Sequence, residues 1–269
     1  MEPPSSIASG SADGEPSPLA APPTPRPPLR TPLRGIPRPV PPRGLIFLAS
    51  AWLIASWIVA IGPRAPIQAH PASYAPAVRL LILLVTVGML VGWPLVRLSG
   101  PPRAWPIRQA ILDVAVLLCL VQVVVWPLRL LTPWNPWRSA AIDLTIGGWA
   151  AAVTALVAFG TIPIERRATL VRTGAMFAIV VLVIGMPFLR LVDGGSLPFV
   201  ADSAQAATDP SWWSAVRWSP MSAIYALAAA TPNLPGDIEW LVARSGWLVA
   251  AGLWTALLIL RRPFERAWR

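Results

Sequence analysis

Six apolar runs, each close to the ~20 residues that a helix needs to cross a bilayer, govern what this chain can fold into. They are Gly44–Gly62, Val78–Val96, Gln109–Leu128, Ala140–Ile164, Thr173–Leu189 and Glu239–Leu260. In hydrocarbon every backbone N–H and C=O must find its partner within the protein, and runs this long do so only as helices. The pattern predicts an all-α, polytopic membrane protein with six transmembrane helices. Only 13% of the residues are charged, against about 25% in a soluble domain, which excludes an ordinary soluble enzyme. The first run is longer than the ~7–15 residues of a secretory signal core and no small-x-small cleavage site follows it, so it reads as a span.

The basic residues set an orientation. All 22 are arginine and the net charge is +10. On a soluble chain that balance would point to nucleic acid; here the arginines flank the apolar runs, so it reads as membrane topology. With the N-terminus inside, fifteen arginines fall on inner segments and five on outer loops (Arg64, Arg129, Arg138, Arg190 and Arg217), while Arg79 and Arg244 lie within spans. Both termini are therefore expected to be cytoplasmic, which an even number of spans allows.

Two segments depart from the spans. Residues 1–43 hold 14 of the 33 prolines. Proline fixes φ and removes a donor, so this region is expected to be a disordered or polyproline-II basic tail. Residues 44–269 form the six-span domain. Its connection between spans five and six is long, and about 196–235 is expected to be a re-entrant or interfacial segment on the outer face. Asp209-Pro210 and Ser219-Pro220 are helix starts, an N-cap followed by proline at the first helical position. Met221–Ala230 is too short to span.

No catalytic constellation is present. Without lysine there is no P-loop; His-Glu-x-x-His and Gly-x-Ser-x-Gly are absent; one cysteine, Cys119, and one histidine, His70, make neither a thiolate metal cluster nor a Ser-His-Asp triad. The expectation is a non-enzymatic protein without metal or cofactor. Ionisable groups within spans are then the functional suspects. Asp143 near the outer end of span four is placed to pair with Arg79 or Arg244, a candidate intramembrane polar network. Asp113 lies one turn into span three, and Gln122 reads as an interhelical hydrogen bonder. Gly88 and Gly92 form a GxxxG, and Gly148, Ala152, Ala155, Gly246, Ala250 and Ala256 read as small residues where helices meet.

Trp218-Ser219-Pro220-Met221-Ser222-Ala223-Ile224-Tyr225-Ala226-Leu227, an apolar stretch before the last span, together with the topology of residues 44–269, resembles the membrane subunit of ABC-2-type ABC transporters. That resemblance implies six spans with short outer-face helices between spans five and six, in which Ser219, Pro220 and Tyr225 would be the element's marks. It implies a permease of an export system in a bacterial inner membrane, a dimer of like or unlike membrane subunits, and a separate ATPase subunit. The ATPase would meet the inner loop carrying Arg97, Arg103, Trp105 and Arg108. The amphipathic helix that usually precedes the first span in that family is replaced here by Ile36-Pro37-Arg38-Pro39-Val40-Pro41-Pro42-Arg43, which cannot form one. The alternative from another class is a non-transporting scaffold or assembly subunit that recruits a partner through its basic proline-rich tail.

Overall fold

A computed structural model of the chain describes residues 43–62, 71–100, 105–161, 168–192, 218–228 and 233–267. Every regular element among them is helical: α1 (Arg43–Ala60), α2 (Pro71–Val87), a π-helical turn (Gly88–Gly92), α3 (Trp93–Ser99), α4 (Pro106–Leu128), α5 (Pro136–Gly160), α6 (Ala168–Val192), α7 (Pro220–Leu227) and α8 (Asp237–Ala267). α2, the π turn and α3 run on as one span, Tyr74–Ser99, and six helices are long and apolar enough to cross a membrane. The chain is a polytopic all-α membrane protein.

The helix starts follow local chemistry. Asn135 caps α5, its side chain accepting from the Arg138 N–H at 2.8 Å, with Pro136 next, where a missing N–H costs nothing. Ser219 caps α7 in the same way, accepting from the Ser222 N–H at 3.4 Å before Pro220. α8 begins with half of a capping box: Glu239 Oε2 reaches back to the Gly236 N–H at 2.8 Å. The Ser219-Pro220 start lies where the sequence places it. Asp209-Pro210, the tail 1–42 and Arg103 lie outside the described residues.

α5 is the axis of the bundle. Its sequence is rich in Ala and Gly, so neighbours approach on every side, and α3, α4, α6, α7 and α8 all pack against it. By contrast α1 and α6 bury little of their length. The α5–α8 interface is the largest, and the two helices run parallel. At their crossing, a Cβ on Gly148 would sit 2.8 Å from the Trp247 backbone N, and one on Gly246 would sit 2.9 Å from the Trp149 backbone N. Two tryptophans of α8 fasten the crossing: Trp247 Nε1 donates to the Leu144 carbonyl at 2.9 Å and Trp254 Nε1 to the Ala151 carbonyl at 3.1 Å. Both rungs join residues 103 apart in sequence, so they share one register. Ala152, Ala155 and Ala250 are buried, whereas Ala256 is exposed.

The GxxxG of span two behaves differently from its expected packing role. Gly88 and Gly92 open and close the π turn. A Cβ on Gly88 would collide with the Trp52 indole of α1, whose Nε1 donates to the Leu84 carbonyl at 2.9 Å. A Cβ on Gly92 would meet nothing within 4 Å. Only the first glycine is a packing glycine.

Candidate functional site

Chain alternation gives the bundle two ends. α3 ends, α4 starts, α5 ends and α6 starts at one, called the lower end; α2, α5 and α8 start at the upper end. Each end is held by a buried or half-buried ion pair.

At the upper end, Arg138 lies in the first turn of α5, and its side chain is only 2% exposed. It forks onto Glu239 of α8: Nη1 donates to Oε1 at 3.0 Å and Nη2 to Oε2 at 3.3 Å. The same two nitrogens donate to the carbonyls of Leu227, at 3.1 Å, and Asn233, at 3.3 Å. A helix leaves its last carbonyls without intrahelical partners and carries partial negative charge there. α7 has no basic residue in its own last turn, and arginines from two spans supply what it lacks. Arg138 takes the Leu227 carbonyl, and Arg79 of α2 donates from Nε to the Ala228 carbonyl at 3.1 Å while its guanidinium lies over the Tyr225 ring, 5.1 Å from the centroid. Pro220, Ser222, Ala223, Ile224 and Leu227 are buried, so α7 is a helix seated among the spans and not one lying on a membrane surface.

This arrangement corrects the sequence reading at two points. Arg138, assigned to an outer loop by its position between runs, is inside α5 and is one of the largest fully buried side chains. The expected network of Arg79, Asp143 and Arg244 is not assembled: Arg79 is engaged with the end of α7, Arg244 is exposed on α8, and neither forms an ion pair with Asp143 among the described residues. Asp143 instead faces α4, beside Gln122 and Trp126, which lie one turn apart there. Gln122 is thus an interhelical contact. Its partner is an acid, and one Asp143 oxygen, Oδ1, remains buried without a hydrogen bond.

At the lower end, Arg97 Nε of α3 lies 3.5 Å from Asp113 Oδ2 of α4, with side chains 9% and 2% exposed. Gln109 Nε2 donates to Asp113 Oδ1 at 2.7 Å, one turn before it on the same helix. Arg172 at the start of α6 reaches the Gly100 carbonyl at 3.5 Å. Arg97, expected on an ATPase-facing loop, is therefore turned into the bundle, because a carboxylate buried beside it needs a counter-charge. Trp105 and Arg108 are exposed. The Trp105 ring is 42% exposed and the Arg108 guanidinium lies 5.0 Å from its centroid. Together they form an aromatic–cation knob at the start of α4.

Sequence reasoning missed the grip on α7. The signal for it was a short capped helix whose last turn carries no basic side chain, with arginines at the starts of two nearby spans. No group of acids, histidines and cysteines able to hold a metal occurs among the described residues. No protein-family model, curated protein or solved structure matches this chain.

Proposed function

We propose that the chain is the membrane-spanning permease subunit of an ABC-type export system, with both termini cytoplasmic in a bacterial inner membrane and a separate ATPase acting at the lower end. One observation carries this reading: between spans five and six the chain seats a short non-spanning helix, α7, and fixes its C-terminal carbonyls with arginines from α2 and α5. A helix too short to cross the bilayer, yet gripped by two spans, suits a part that follows their movement. The opposite end offers the exposed Trp105–Arg108 knob, a large aromatic of the kind that anchors protein interfaces. Arg97 serves the bundle through Asp113 and leaves the docking to Trp105 and Arg108.

The test is co-purification in mild detergent with a P-loop ATPase encoded beside this gene. Trp105→Ala is expected to weaken that complex while membrane insertion and thermal stability stay as in the parent. Deleting residues 1–40 is expected to leave the complex intact. A stable complex without an ATPase, lost on tail deletion and indifferent to Trp105→Ala, would make the chain a non-transporting scaffold.

A further inference from the structure

The π turn has a consequence on its lipid side. Between α1, the span containing the turn, and α4 lies a groove of about 330 Å³, lined almost entirely by apolar atoms and open along one side; Ala49, Trp52, Gly88, Gly92, Trp93 and Leu117 are among its walls. Two observations make it a built recess and not a packing gap. First, the π turn sits in its wall, and single π turns in helices are frequent at functional sites. Second, Gly92 faces open space: a Cβ there would meet nothing within 4 Å, so the chain keeps its smallest residue where a larger one would fit.

The volume selects the occupant. A helix 10–12 Å wide occupies roughly 400–600 Å³ per turn, so not even one turn of a partner helix enters. At the roughly 30 Å³ that a water-sized group takes in a liquid, the groove holds about eleven methylene groups. Linear hydrocarbon of that length is what the surrounding bilayer supplies at this depth. We propose that the groove binds one acyl chain of a bilayer phospholipid, inserted sideways between α1 and α4. The proposal requires only that the bundle spans a membrane and is independent of any ATPase.

Photo-crosslinking tests it. The full chain would be reconstituted in phosphatidylcholine vesicles containing a trace of phosphatidylcholine with a mid-chain diazirine, irradiated, and the labelled peptides identified by mass spectrometry. Phe177 on α6, 70% exposed, reports ordinary boundary lipid. Labelling of peptides 88–96 and 117–121 is expected to exceed labelling around Phe177 and to saturate as the probe is raised, while that around Phe177 rises in proportion. Gly92→Leu is expected to cut the groove labelling by about ten-fold, the effect of displacing two buried methylenes, and to leave Phe177 unchanged. Equal, unsaturable labelling at both places in the parent overturns the proposal whether or not the variant folds. So does groove labelling that persists in a folded Gly92→Leu protein. A photoreactive amino acid placed at Ala49 or Trp52 that crosslinks to another copy of the chain, in place of lipid, would assign the groove to self-association and overturn it as well.

Discussion

Arg138 and Glu239, 101 residues apart, meet as a two-pronged ion pair at 3.0 and 3.3 Å, and the same guanidinium holds the last turn of α7. A charge pair this enclosed is a poor source of net stability, since desolvation offsets most of the attraction; breaking it is another matter, because one charge is left buried alone.

Arg138→Ala should therefore destabilise the protein by about 3–5 kcal/mol, measured by thermal unfolding in detergent. The loss should be local as well as global. Amides of Ile224–Ala228 should exchange hydrogen faster than those of α5, because the α7 carbonyls lose their donor. Replacing both partners with methionine should cost less than either single truncation.

A second test concerns Asp113. Arg97→Ala leaves its carboxylate with Gln109 and no counter-charge, and should destabilise by about 3–5 kcal/mol. Asp113→Asn in that background should recover part of the loss. Additive effects of the two substitutions would show that the 3.5 Å pair contributes nothing.

For Asp143 the expected coupling is with α4. In double-mutant cycles, Asp143→Asn and Gln122→Ala should be non-additive by about 0.5–3 kcal/mol, whereas Asp143→Asn with Arg79→Gln or Arg244→Gln should be additive. Coupling to either arginine would restore the intramembrane network and overturn the assignment made here.

Two glycines of α8 separate packing from propensity. Gly246→Ala places a Cβ 2.9 Å from the Trp149 backbone N and should destabilise by about 1–3 kcal/mol through overpacking. Gly252→Ala meets nothing within 4 Å and should be neutral or stabilising by up to about 1 kcal/mol, the helix preference of alanine over glycine. Parallel melting curves of the two variants check this.

Much of the architecture was legible because it is written in local terms. The apolar runs announce spans whatever their neighbours, and Ser219-Pro220 marks a helix start through a side-chain cap that needs no tertiary context. The site was legible in its residue types and not in its pairings. An arginine between two runs looks the same whether it meets water or a carboxylate 101 residues later, so Arg138 reads as topology until the fold brings Glu239 to it. Asp143 has Gln122 on one span and Arg79 and Arg244 on two others as possible partners, and the sequence does not say which of them the fold brings to it. The π turn leaves no trace in hydropathy, since an apolar run has the same composition at either helical pitch.

That turn also fixes the angular phase of everything after it. Each helical residue advances about 100° around the axis, and a π turn takes up one residue more than the regular path requires. Winding the same residues as an ordinary α-helix, with none removed, would swing α3 around by about 100°. Arg97 would then point away from Asp113, and Leu98 would leave the small surface of Gly160 against which it packs. The irregularity in mid-membrane thus works as a timing offset between the two halves of span two: the upper half brings Arg79 to the end of α7 and the lower half brings Arg97 to Asp113 of α4.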